Sequence, residues 1–368
     1  MKIAQIAPLW NGLPSDGLSD AVRTVSYLTD ELVRRGHDVT LFADADSPIS
    51  ARIEPLCEPQ FYRAPANWSR AGAMITAAEQ AFTQRAHEFD IIHSHFGIDG
   101  FPMAQRCSTP TLTTLQERLD LPEYVAVFKK FQSLPLVSTS DAQRQPVTWA
   151  SWQRTIYPGV PSELYHFHSR PGQYLAFIGS LSMDGGLGLA IEIARRAHLS
   201  LRVASRQDQA DTFPLSIPME LLIVGNGVEW VGALTEEETD DFLGNALALV
   251  CTQDWPNSSE LCVAEALACG TPVLAFQGSA AAELIYDHVT GFACESVDEM
   301  IEMVPLIKNI DRRECRGAFE KRLSAERMTD QYLDLYERLT QGTKSFGKKS
   351  AAAVKMVQED RWPMAVSS

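Results

Sequence analysis

Short apolar, β-branched runs alternate with helix-length stretches along this chain, and midway the alternation begins again. The first series offers strands at 3–7, 38–43, 90–95, 110–115 and 136–139, with helices over 21–35 and 70–88. The second offers strands at 174–179, 201–204, 229–231, 248–250 and 272–275, with helices at 187–197, 236–244, 261–268 and 325–340. Strands separated by whole helices pair in parallel and carry helices on both faces. The expected fold class is therefore α/β, with two Rossmann-like domains facing one another across a cleft. They are expected at 1–165 and 166–341, joined near Pro158, Pro161 and Pro171. Ligands of open α/β sheets sit beyond the C-terminal ends of the strands, which makes the cleft the default site. The remaining stretch, 342–368, bears lysines without periodicity and is expected to be a mobile tail.

Charge narrows the partners. The chain has 47 acidic and 32 basic side chains, a net charge of −15, which argues against nucleic acid or an anionic membrane. The excess is uneven: residues 1–165 carry 18 acidic and 14 basic side chains, whereas 166–341 carry 27 and 13. Between 171 and 307 the basic residues are Arg195, Arg196, Arg202 and Arg206. Seven cysteines without a C-x-x-C pair read as reduced thiols, neither a disulfide framework nor a zinc site. The chain opens on a strand-like run without a signal-peptide core, and no apolar run approaches the ~20 residues of a membrane span. A cytoplasmic location is expected.

Three stretches resemble the retaining family-4 glycosyltransferases of the GT-B fold. They are Met1-Lys2-Ile3-Ala4 with the segment Ser26–Thr40; Ile91-Ile92-His93-Ser94-His95-Phe96; and Glu265-Ala266-Leu267-Ala268-Cys269-Gly270-Thr271-Pro272-Val273. The last continues into Glu283-Leu284-Ile285 and Val289-Thr290-Gly291-Phe292. The resemblance runs in order over roughly 1–340. It implies metal-independent, cofactor-free transfer of a sugar from a UDP- or GDP-sugar to a glycan, lipid or small-molecule acceptor. Such a reaction must stabilise a departing diphosphate.

Carried over residue by residue, the family's anchors are altered. The glycine-rich loop after the first strand becomes Gly17-Leu18-Ser19-Asp20, placing Ser19 and a carboxylate where bare backbone N–H groups face phosphate. The first-domain histidine becomes Gln116, which can hydrogen-bond a sugar hydroxyl but cannot titrate. In Gly179-Ser180-Leu181-Ser182-Met183-Asp184-Gly185-Gly186, the two cations that clamp the diphosphate become Ser180 and Gly185. Of the paired glutamates eight positions apart, the first becomes Asn257 and the second, which holds the ribose, stays as Glu265. Gln116 and Asn257 are thus the candidate catalytic residues. Gly17, Ser19, Ser180, Gly185, Arg206, Val231 and Glu265 are the candidates for binding the nucleotide sugar, Arg206 as a nearby cation and Val231 beside the base. The glycines at 185, 186 and 188 leave a helix start open to an anion, an effect of ~0.3–1 kcal/mol. The alternative is a catalytically inactive homologue that serves as scaffold or regulatory partner of another protein.

Other constellations carry less. The imidazoles of His93-Ser94-His95 are expected on opposite faces of their strand, unable to chelate together. His166-x-His168 has no third ligand at metal spacing. Gly185-Gly186-Leu187-Gly188 lacks the last glycine of a dinucleotide fingerprint, because Ile191 stands there.

Overall fold

The first strand shows why these runs form parallel sheets: Ile3, Ala4, Gln5 and Ile6 are all buried, as strands covered on both faces must be. The computed structural model describes residues 1–8, 20–43, 49–55, 68–179, 186–205, 227–252 and 261–341. One sheet contains β1 (Lys2–Ile6), β2 (Asp38–Ala43), β3 (Arg52–Pro55), β4 (Ile91–Ser94), β5 (Thr111–Leu115), β6 (Leu136–Ser138) and β7 (Trp152–Thr155). Its order is β3-β2-β1-β4-β5-β6-β7, parallel throughout. A second contains β8 (Tyr174–Ile178), β9 (Ser200–Ser205), β10 (Val228–Ala233), β11 (Ala248–Cys251), β12 (Val273–Phe276) and β13 (Gly291–Cys294). It runs β10-β9-β8-β11-β12-β13, again parallel. Strand order reverses between β1 and β4 and between β8 and β11, so each sheet has one switch point.

Helices cover the sheets. The first half carries α1 (Asp20–Arg34), α2 (Trp68–Arg85), α3 (Phe101–Arg106) and α4 (Pro122–Lys130). The second carries α5 (Leu187–Arg196), α6 (Glu236–Gly244), α7 (Leu261–Ala268), α8 (Ala280–Leu284), α9 (Val297–Met303) and α10 (Arg312–Arg322). A final helix, α11, spans 325–341. On α1 the buried apolar residues Val22, Val25, Leu28 and Leu32 recur at helical spacing and face the sheet. The helix stops at Gly36, whose φ of +81° suits glycine. There Gly36 N–H donates to Val33 O (2.8 Å) and His37 N–H to Leu32 O (3.1 Å), closing the C-terminus. Helix α6 starts with a reciprocal cap: Thr235 Oγ1 accepts from Glu238 N–H (3.2 Å) and Glu238 Oε2 from Thr235 N–H (2.8 Å).

The link between the sheets is fastened to the second half by two arginines. Arg312 donates to the carbonyls of His168 (2.6 Å), Ala246 (3.0 Å) and Gly244 (2.9 Å). Arg316 donates to those of Tyr165 (2.8 Å) and Ala268 (2.9 Å). Asp240 of α6 holds linker His166, accepting from its backbone N–H (2.9 Å) and Nδ1 (2.8 Å), and lies 3.6 Å from His168 Nε2 without a hydrogen bond to it. Helix α11, grouped by sequence with the second half, lies against the first sheet through Tyr332 and Tyr336. Among the described residues no helix is long and apolar enough to cross a membrane. The 342–368 tail lies outside the described residues.

Candidate functional site

At the C-terminal ends of β1, β4 and β5 a buried polar network gathers. The carbonyl Oε1 of Gln5 accepts from His95 Nε2 (2.9 Å), which leaves His95 Nδ1 to accept from Gln116 Nε2 (3.3 Å). Gln5 Nε2 donates to the Tyr336 hydroxyl (3.1 Å), and that hydroxyl donates to His93 Nδ1 (2.6 Å). His93 Nε2 then donates to Thr114 Oγ1 (2.7 Å), itself 3.0 Å from the Tyr332 hydroxyl. Every partner in this chain is satisfied with both imidazoles neutral. Burial, helped by neighbouring His95, pushes the His93 pKa well below its ordinary value, and burial takes His95 down to about 3.

The expectation that these histidines part to opposite faces is wrong. Their ring centroids are 4.0 Å apart, because residues two apart in a strand share a face. Gln116 stands at the end of β5, joined to this network and partly buried. Beside it Glu117 accepts from the backbone N–H of Gln116 and Ile98 (3.0 Å each), and burial raises its pKa.

A second cluster joins the two halves and is charged. Arg23, one turn into α1 and 5% exposed, places Nη2 2.7 Å from Glu265 Oε1 of α7. The same nitrogen donates to the hydroxyls of Tyr27 (2.9 Å) and Tyr165 (3.1 Å). Arg23 Nε lies 3.4 Å from Glu236 Oε1 and Nη1 3.5 Å from Asp20 Oδ1. Tyr165 donates to Glu265 Oε1 (2.7 Å), and Tyr27 donates to Glu236. Burial alone would lower the Arg23 pKa; Glu265 and its other partners hold it well above the ordinary arginine value. Across another part of the boundary, Glu283 of α8 accepts from the backbone N–H of Asp141 (2.8 Å) and Ala142 (2.6 Å).

The second sheet's switch point is built by Gly186 and Thr252. Gly186 begins α5 with φ of +80°, and a Cβ there would meet Thr252 Oγ1 at 2.7 Å. Thr252 Oγ1 donates to Gly186 O (2.8 Å), and no side chain caps the start of α5. Four arginines of this half are engaged: Arg196 pairs with Asp298 (2.6 Å), Arg202 with Glu229 (2.8 Å), and Arg312 and Arg316 bind the linker. Val231 is exposed and lines a groove of about 380 Å³ with Tyr174, Arg202 and Phe242. Trp230, partly buried, packs against the apolar cluster beneath β8, β9 and α5.

Of the sequence candidates, Glu265 stands buried where the halves meet, Gln116 ends β5, and Val231 lies on the groove beside α6. Gly17, Ser19, Ser180, Gly185, Arg206 and Asn257 lie outside the described residues. Arg23, Tyr27, Tyr165 and Glu236 join the site without a sequence motif to mark them. The one available signal was an arginine and a tyrosine four apart on the apolar side of α1. Among the described residues no three His, Cys, Asp or Glu side chains converge as a metal site requires.

Residues 21–158 match the family described as Glycosyltransferase Family 4, and 168–313 match Glycosyl transferases group 1. Between them they span most of the chain in order, and the chain belongs to the family-4 (group 1) glycosyltransferases of the GT-B fold. No curated protein sequence matches it. Among solved structures it resembles AviGT4, a glycosyltransferase involved in avilamycin A biosynthesis (TM-score 0.69, 19% identity, covering 93% of this chain and 98% of that one). It also resembles sucrose-phosphate synthase from Thermosynechococcus elongatus (TM-score 0.75, 16% identity, 93% and 100% covered). A third is HepE from Anabaena, in complex with UDP and glucose (TM-score 0.65, 16% identity, 92% and 100% covered). At these identities the likeness is one of fold.

Proposed function

We propose that this chain transfers a sugar from a nucleotide-sugar donor to an acceptor in the cleft between its two sheets. The observation that carries the reading is Glu265. It keeps its place in the family motif and stands where both halves meet. In this reading Glu265 holds the donor ribose and the open start of α5 receives the phosphates. Arg206 faces the leaving charge, Val231 lies beside the base, and Gln116 and Asn257 orient sugar hydroxyls. A UDP-sugar is the first donor to try, since the similarly folded HepE binds UDP-glucose. Calorimetry with UDP- and GDP-sugars tests the proposal: saturable binding lost in Glu265→Ala supports it, and no binding of any nucleotide sugar sinks it.

One observation favours the second reading, an inactive homologue acting through a partner. Ser180 and Gly185 replace two cations, and the arginines of the second half named above are held elsewhere. Each lost charge-assisted contact is worth ~1.5–3 kcal/mol. Under the first reading, Ser180→Arg with Gly185→Lys strengthens donor binding and raises turnover. Under the second, turnover stays absent while a partner co-purifies.

A further inference from the structure

Glu265, which the proposed function assigns to the donor ribose, is 0% exposed. No ligand hydroxyl reaches its carboxylate until a neighbour moves. Arg23 Nη2 and the Tyr165 hydroxyl each lie 2.7 Å from the same oxygen, Oε1. Tyr165 belongs to the linker that Arg316 fastens to the second half, so it travels with Glu265. Arg23 comes from the opposite half and is the neighbour able to leave. We infer that Arg23 is a latch between the halves that competes with the donor's ribose for Glu265, keeping the ligand-free cleft occupied by the protein's own cation.

The partner set around Arg23 suits such an exchange. Its guanidinium is shared among three carboxylates, Glu265, Glu236 and Asp20. Asp20 and Tyr27 lie on α1 itself, so Arg23 keeps an anion and a hydroxyl when the halves separate. Glu265 keeps Tyr165 and gains the ribose hydroxyls as donors. A buried ion pair sits near balance between its mutual attraction and the hydration each ion regains on parting, which leaves it open to competition. This inference rests on the ribose role given to Glu265.

The test compares UDP and uridine binding by calorimetry for the wild type, Arg23→Gln and Tyr165→Phe, with the radius of gyration of each ligand-free protein measured by X-ray scattering. Release of the latch is expected to tighten binding of both probes at least about fivefold in Arg23→Gln, within the ordinary range of coupling between linked equilibria. Ligand-free Arg23→Gln is expected to be larger than wild type, and Tyr165→Phe to shift binding the same way by less. Unchanged or weaker binding of both probes overturns the latch. Weakened UDP binding with unchanged uridine binding also overturns it, because Arg23 is then a phosphate contact. Should no protein bind either probe, the donor reading fails and the competition for Glu265 falls with it; an enlarged Arg23→Gln then shows only that the ion pair holds the halves together, and an unchanged one refutes that as well. If Arg23→Gln does not fold, the same comparison is read from Tyr165→Phe.

Discussion

Two polar clusters tie distant parts of this chain together, and they are built on opposite chemistry. The network of Gln5, His93, His95 and Thr114 with Tyr332 and Tyr336 is neutral. The cluster of Arg23, Glu265 and Glu236 with Tyr27 and Tyr165 is ionic. Opening the neutral network only exchanges its hydrogen bonds for water and exposes the buried rings of Tyr332 and Tyr336, at about 1.5–3 kcal/mol for each large apolar side chain. Ions that part recover hydration. The neutral cluster therefore behaves as a permanent seam and the ionic one as a seam that can open.

Removing the tyrosine at the centre of the neutral seam is the harshest challenge to that contrast. Tyr336→Ala deletes a fully buried ring and its hydroxyl, and a loss of about 3–5 kcal/mol is expected in urea unfolding. Acid breaks the same seam more gradually. His93 and His95 have lowered pKa values when folded, so below about pH 6.5 the unfolded chain binds more protons than the folded one. Their contribution is complete above that pH and is lost as pH falls, that of His95 down to about pH 3, at about 1.4 kcal/mol per pH unit for each histidine that stays neutral in the folded protein. Thermal melts from pH 7 to 4.5 should show this slope, and His95→Gln should reduce it. For the ionic seam, Arg23→Gln should cost less than the about 3–5 kcal/mol usual for halving a fixed buried pair, because separation lets Glu265 rehydrate. A full-size loss in denaturant would erase the distinction. The smallest effect serves as a control. Glu229→Ala, at an exposed pair with Arg202, should stay within about 1 kcal/mol.

Most of the strands were legible because parallel strands are apolar on both faces. Tyr174-Leu175-Ala176-Phe177-Ile178 and Ala248-Leu249-Val250 announce themselves without help from the rest of the chain. The edge strand β7, Trp152-Gln153-Arg154-Thr155, did not: each residue is half-buried and no alternation marks it. The short helices α3 and α8 are also too brief to show a period. In the candidate site, Glu265 was visible through its motif. The arginine that binds it shows in the sequence only as a cation on the apolar side of α1; ion pairing between distant residues leaves no local pattern that names its partner. The His93 and His95 relation was readable in principle from strand geometry alone, and their neutral state needed the surrounding hydroxyls.

Helix α11 carries a consequence for the order in which this chain can be finished. Tyr332 and Tyr336 supply hydroxyls that β1, β4 and β5 need, yet they are made after the whole second sheet. While the ribosome is still writing residues 174–294, Gln5, His93 and Thr114 must keep water as their partner. The half of the molecule synthesised first is thus the half completed last, and a chain cut before 325 should leave its earliest strands, not its latest, unsettled.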